Sequence, residues 1–444
     1  MPRIPLICLP LLLLFSPVAV LGQTQLSATN RIYNQNELKA DLQFLKRKLE
    51  KIHPGLYRYT SKPALNIFFD SLYHSIDRPM DEQRFFRLIT LLHAKIGDGH
   101  TMLLPSEATT DHNNKKGRFL PFTLTYLNGK LHIVENNSAD SSIEKGEEIV
   151  RINGEGIDTI MSQLLKRQIR DGYNQTYPIW ILNHYFAAYY SFAYGLPAQF
   201  FLELRNQKGE LQKKQITALT KDSIKFIHQS RYPVTTDRGI TLEKIKDGTT
   251  AILTIKSFDP DLLQSRYKQD YTALIDSVFT VLKRDQTTNL ILDLRDNQGG
   301  DFEPGRYLLS YLLLNPARYL LNGEESRVIQ PKTNHFTGKL FVLINGGSFS
   351  NTAIVSACLE RDKRAVFIGE ETGGNKHIIS GDPTEISLPN THIRGFISTT
   401  TFQITNGNND GHGIIPAYPI LPAIGDVLMG KDVLMARALE LIAE

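Results

Sequence analysis

Residues 344–353 read INGGSFSNTA. They decide the fold, because the apolar run KLFVLIN (339–345) ends here and the helix-spaced run NTAIVSACLERDK (351–363) begins. A buried strand, a glycine turn and a helix in succession predict one corner of an α/β sheet. Two serines, Ser348 and Ser350, stand at that corner. Backbone N–H groups at a helix start lack intrahelical partners, and the helix dipole favours negative charge there. A serine so placed can cap the helix, or it can attack a carbonyl beside ready donors for an oxyanion.

Outward from this corner, residues 240–430 alternate strand and helix. TAILTIKSF (250–258), NLILDLRDN (289–297) and AVFIGE (365–370) are continuous apolar runs, as strands covered on both faces require. Helical spacing falls at about 262–284, 303–314 and 351–361. The block is predicted to be an α/β core with its strand ends free for a site. Residues 117–220 differ. FTLTYLNGKLHIVEN (122–136) is a hairpin about Asn128-Gly129, and AQFFLELRNQKGELQKKQITAL (198–219) forms another strand pair. Between them lies YPIWILNHYFAAYYSFAYG (177–195), an aromatic helix or lid that either packs between domains or walls an apolar pocket. Residues 30–108 read as helical, with Leu38, Leu42, Leu45 and Leu49 on one face of a helix stopped by Pro54-Gly55.

The chain has 444 residues, enough for two or three domains of about 150 residues each. Its net charge of +4 argues against nucleic acid or an anionic membrane as the main partner. Residues 1–22 combine Arg3, an apolar run and small residues near Val20–Gly22, and read as a secretory signal peptide. Pro5, Pro10 and Pro17 break the run, so no stable membrane span is expected after cleavage, and the location is secreted or periplasmic. Cleavage leaves Cys358 as the one cysteine, a buried small hydrophobe with no disulfide partner.

A nucleophilic serine needs a base and an oxyanion site. Gly299-Gly300 ends another buried strand, and N–H groups of Gly300 and Asn351 would supply two oxyanion donors. Asp293, Arg295 and Asn297 are read as holding that loop in shape. His100, in KIGDGHTMLLP (95–105), is the candidate base; His93 and His412 are its rivals. Asp410, in NGNNDGHGIIP (406–416), is the candidate for orienting the imidazole. There is no HExxH and no Cys/His cluster, so no metal and no cofactor is expected.

GDGHT (97–101), LDLRDNQGG (292–300), GGSFSNTA (346–353), FIGEETGGN (367–375) and DGHGIIPAYPI (410–420) occur in the order found in S41 peptidases. The chain resembles that family, which holds the tail-specific (C-terminal processing) proteases and the tricorn core protease. The resemblance implies a crotonase/ClpP-like catalytic core with an N-terminal helical subdomain and an inserted PDZ-like domain. KGEEIVRING (145–154) lies in the PDZ-like part, and HPGLYRYTS (53–61) resembles the helical start of secreted bacterial members. It also implies a serine endopeptidase acting on protein or peptide substrates. Its register selects Ser350 as nucleophile over Ser348, with Gly300 and Asn351 as oxyanion donors. The processing branch uses a Ser-Lys dyad, but Asn375 stands where that lysine belongs and Lys376 is one residue away. The tricorn-like branch uses a histidine, which His100 matches. It adds an acid three residues before a G-V-x-P motif, which Asp410 matches, with aspartate where that branch usually has glutamate. Gly99 replaces the serine that precedes the tricorn histidine. Two other classes are consistent with parts of this pattern: a non-catalytic S41-like binding protein for an apolar ligand or peptide, and an acyl-CoA enzyme of the same superfold. The signal peptide argues against the second.

Overall fold

The central sheet of the computed structural model follows from the apolar runs. The structure describes residues 31–232, 237–245 and 248–444; the expected signal peptide, 1–22, lies outside them. Six strands lie in the order Ile240–Lys244, Thr250–Ile255, Asn289–Asp293, Lys339–Ile344, Val366–Gly369 and Tyr418–Pro419. The first pair is antiparallel and the rest are parallel. Side chains alternate between the two faces with the period of two that a pleated strand imposes. Leu253, Leu290, Leu292 and Val342 enter the large core under the helices Tyr271–Arg284, Phe302–Leu312 and Asn351–Arg361. Ile252, Ile291, Phe341 and Leu343 face the other way, against the C-terminal helix Val433–Ala443. Cys358 is buried in the large core, and burial pushes its thiol up to about 12.

The helical spacing at 262–284 resolves into two pieces. A short turn of helix at Pro260–Leu262 runs into a π-type turn at Leu263–Tyr267. Lys268 then turns left-handed at φ 57°, and Asp270 caps the helix from Tyr271. The apolar period continued across the break because Leu263 and Ile275 enter the same core.

The middle of the chain forms a separate antiparallel sheet, ordered Leu211–Thr217, Gln199–Arg205, Glu148–Ile152, Lys130–Asn136 and Phe122–Leu127. Asn128 (φ 50°) and Gly129 (φ 80°) make the tight turn of its first hairpin. The aromatic stretch is one helix, Thr176–Tyr194, kinked at Tyr185. Leu182, Phe186 and Tyr190 sit in this sheet's core, whereas Tyr177, Trp180 and Ile181 cluster with Phe349, next to Ser350. The aromatic helix therefore packs in both directions.

At the N-terminus, Asn34 and Glu37 cap the helix Gln35–Ile52 reciprocally, and Leu38, Leu42, Leu45 and Leu49 are buried along it. Helices Lys62–Ser75, Glu82–Ile89 and Leu92–Ile96 join this group. Its core also takes Leu388, Ile393 and Ile397 from a hairpin late in the chain. That hairpin, Thr384–Ser387 with Arg394–Ile397, pairs antiparallel with Met102–Leu104, just after His100. No helix among the described residues is long and apolar enough to cross a membrane.

Candidate active site

Ser350 sits where the strand Lys339–Ile344 turns into the helix Asn351–Arg361. Its backbone is at φ 53°, ψ −124°, a region that L-residues avoid. Such a turn holds the side chain out above the sheet end, as a nucleophile elbow does. The Ser350 hydroxyl caps nothing in its helix; its Oγ lies 2.9 Å from Nε2 of His100. Ser348 is employed otherwise: its hydroxyl donates to the Leu294 carbonyl and accepts from the Asn345 N–H, which ties the turn to the neighbouring strand.

The Gly299-Gly300 loop lies against this turn. Asn297 fixes it by accepting from the Gly299 N–H and donating to the Ile255 carbonyl, 2.9 Å in each case. Arg295 bridges Asp293 and Asp432 below it. Gly299 is at φ 95°, and a Cβ there would stand 2.7 Å from the Asn351 nitrogen and 2.9 Å from the Ser350 Cβ. At Gly300 a Cβ would fall 2.3 Å from the Phe258 carbonyl carbon. Both positions need glycine. Among the described residues, the N–H groups of Gly300 and Asn351 carry no internal hydrogen bond. The Asn351 side chain bonds Tyr319 and the Asp301 carbonyl, which leaves its backbone donor for the site.

His100 is buried at 8% exposure and stacks on Phe349, centroids 4.8 Å apart. Phe349 stacks in turn on Tyr177 at 4.1 Å. The rival histidines are engaged elsewhere. His93 donates through Nδ1 to the Arg167 carbonyl and accepts at Nε2 from the Leu103 N–H. That bonding needs a neutral ring, and burial lowers its pKa to about 4. His412 pairs with Glu371.

Asp410 does not take the place expected of it. Its carboxylate is half exposed, accepts from the His412 N–H and lies 3.9 Å from Lys376 Nζ. The cause is local: an acid in a Gly/Asn loop closes its own turn. Lys376 therefore faces Asp410, so neither it nor Asn375 supplies a dyad lysine. Asn375 instead gives its backbone N–H to Asp171 and its side chain to Tyr59 and Asn409.

Asp171 was not singled out by the sequence. It lies in the turn QIRDGYN (168–174), whose only signal is an acid among glycine and asparagine, the same signal that pointed to Asp410. One oxygen each of Asp98 and Asp171 and one ring nitrogen of His100 lie within 4.8 Å of one another, all three residues being buried. Asp98 accepts three hydrogen bonds: Oδ1 from the His100 N–H, and Oδ2 from His53 Nε2 at 2.5 Å and from Thr101. Burial opposes its ionisation, but the His53 hydrogen bond and the imidazole charges outweigh burial and hold the carboxyl below its usual range. With these oxygens taken by N–H and O–H donors, the group is a hydrogen-bonded network rather than a set of free metal ligands. For Asp171, burial dominates and raises the pKa to about 6.

A cleft of about 700 Å³ opens beside Gly299, bordered by Trp180, Tyr185, Lys256, Arg266 and Gln298. The arrangement can perform acyl transfer: a hydroxyl on an imidazole and two unspent N–H donors beside it.

Residues 249–420 match peptidase family S41. The tail-specific protease of Haemophilus influenzae is 25% identical over 177 residues, 39% of this chain and 23% of that protein. Carboxyl-terminal-processing peptidase 3, chloroplastic, of Arabidopsis thaliana is 25% identical over 266 residues, 56% of this chain and 42% of that protein. The chain thus matches less than half the length of either relative. The structure of mature CPAF complexed with lactacystin covers 92% of this chain and 97% of its own, with a TM-score of 0.67 at 15% identity, a likeness of fold.

Proposed function

We propose that this chain, which residues 249–420 identify as carrying a peptidase family S41 domain, is a serine endopeptidase acting on protein or peptide substrates. The observation that carries the reading is the 2.9 Å contact between Ser350 Oγ and His100 Nε2 at a strained strand-to-helix turn. Ser350 attacks the scissile carbonyl carbon while His100 takes the hydroxyl proton. The N–H groups of Gly300 and Asn351 receive the oxyanion, each worth roughly 3–4 kcal/mol of barrier. The imidazolium protonates the leaving amine, and a water molecule, activated by the same ring, then releases the acyl group and restores the serine.

The reading extends to organisation. Residues 30–108 are a helical subdomain that carries the base, 117–220 a PDZ-like insert, and 240–430 a crotonase/ClpP-like core. Residues 1–22 direct the chain to a secreted or periplasmic location. The strand order of the central sheet and the antiparallel middle sheet support the division.

Fluorophosphonate labelling tests the chemistry. Wild-type protein is expected to label at Ser350, with labelling abolished in Ser350→Ala and reduced at least a hundredfold in His100→Ala. Mass spectrometry of a digested peptide library is expected to return new amine and carboxyl ends. A folded wild-type protein that neither labels nor cleaves would overturn the reading in favour of a binding protein.

A further inference from the structure

We propose that Asp171, and not Asp410, is the positioning residue that orients the His100 imidazole and supports its charged form. This rests on the serine peptidase reading above and names its third member. If Nε2 receives the serine proton, the resting ring carries its own proton on Nδ1. In the structure Nδ1 of His100 is buried and has no hydrogen-bond partner. A buried N–H is costly to leave unpaired, so an acceptor belongs there. The carboxylates at hand are those of Asp98 and Asp171.

Asp98 is spoken for. His53 accepts at Nδ1 from the Gly55 N–H, so its Nε2 carries the hydrogen and donates to Asp98. Together with Thr101 and the His100 N–H, this makes Asp98 the brace of the histidine loop. Asp171 accepts one N–H on each oxygen, from Gly99 at 2.8 Å and from Asn375 at 3.1 Å. Of the roughly four acceptor positions of a carboxylate, Asp171 keeps two where Asp98 keeps one. The Gly99 bond pins it beside the residue that precedes His100. Gly99 must be glycine for this approach, since a Cβ there would stand 3.0 Å from Asp171 Oδ1 and 2.5 Å from the Phe349 ring.

The backbone around Asp171 is clamped to both loops at issue. Gly172 donates to the Gly97 carbonyl and Tyr173 to the Gly411 carbonyl. The Asn174 side chain donates to the Thr372 carbonyl. The turn of residues 171–174 is therefore wedged between the histidine loop and the loop of Asp410, in the seat the late acid was expected to fill. Asn375, standing where the other branch keeps its lysine, helps hold the acid instead. A ring nitrogen and the carboxylate oxygen lie within 4.8 Å, but Nδ1 makes no hydrogen bond in this arrangement, where a working one spans roughly 2.6–3.2 Å. A small rotation of the ring on substrate closure completes it, as catalytic contacts commonly tighten in the occupied site. Asp98, His53 and Tyr59 are the other titratable groups around the pair; burial raises Tyr59 to about 12, which keeps it neutral.

The experiment compares Asp171→Asn and Asp410→Asn by fluorophosphonate labelling rate against pH, and by kcat and KM on a fluorogenic peptide drawn from the library digest. In Asp171→Asn the labelling rate and kcat are expected to fall about 10²–10⁴-fold with little change in KM. The acid limb of the rate profile is expected to move to lower pH, because a negative neighbour that favours the protonated ring is gone. Asp171→Glu is expected to recover part of the rate, and Asp410→Asn to behave as wild type. Should Asp171→Asn fail to fold, the far-downfield imidazole N–H resonance of ¹⁵N-histidine-labelled protein decides. It is expected in wild type and Asp410→Asn once a peptide boronate occupies the site, and absent in His100→Gln. An Asp171→Asn protein with wild-type rate and profile, or a loss found in Asp410→Asn instead, would overturn the assignment. Wild-type labelling at Ser350 that depends on His100 separates that outcome from failure of the peptidase reading itself.

Discussion

Ser348 and Ser350 are two positions apart and chemically identical, and their surroundings separate them. The Ser348 hydroxyl is spent on the Leu294 carbonyl and the Asn345 N–H. Ser348→Ala is therefore expected to keep labelling at Ser350 while losing about 1–2 kcal/mol of stability, read from the urea midpoint. Gly299 makes a sharper test of the oxyanion site. A methyl at 299 would press against the Asn351 nitrogen, so Gly299→Ala is expected to lower kcat about 10²–10³-fold, measured on the same peptide. At this scale the turns alone left Ser348, His93 and His412 open, and the order and register of the family-like motifs pointed to Ser350, His100 and the glycine pair. The sequence did not distinguish Asp410 from Asp171. Both are acids in Gly/Asn turns, and which of them meets the ring is set by tertiary clamps such as Gly172 to Gly97, which leave no local pattern.

Among the elements, the strand Met102–Leu104 does more than its three residues suggest. It follows His100 directly and is held by the late strand Arg394–Ile397 and by the neutral His93 ring. The turn of that late hairpin is in turn fastened to the first helix. The buried Asp41 carboxylate accepts from the Asn390 and Thr391 backbone N–H groups and from both their side chains. Asp41→Ala leaves these donors unpaired and is expected to cost about 3 kcal/mol, with earlier proteolytic nicking near residue 390 as the readout. The long elements were legible: the helix at 351–361 follows from its spacing, and the strands at 250–255, 289–293 and 339–344 from continuous apolar runs. The late hairpin was not, because its apolar residues are few and their partners lie some 290 residues away.

Across the whole molecule, two buried groups pull stability in opposite directions with pH. His93 titrates near 4 in the fold against about 6.5 when unfolded, so the unfolded chain binds more protons between these values and stability falls as pH falls. Asp171 titrates near 6 against an unfolded value near 4, so the native state binds more protons there and stability falls as pH rises. Each amounts to about 3 kcal/mol and they nearly cancel. Asp171→Asn removes one side of the balance. Its urea midpoint is expected to drop more steeply than wild type between pH 6.5 and 4.5, and that of His93→Gln to rise over the same interval.

Ser350 and His100 are separated by 250 positions, and the base lies well before residue 249, where the family match begins. A ribosome delivers the imidazole first and the alcohol long afterwards, and only tertiary contacts such as the Gly172–Gly97 and Asn375–Asp171 hydrogen bonds and the late hairpin bring them together. A nascent or still-threaded polypeptide carries an ordinary serine, harmless to itself and to its neighbours. On the serine peptidase reading, activity therefore waits on long-range folding and not on synthesis of the serine itself.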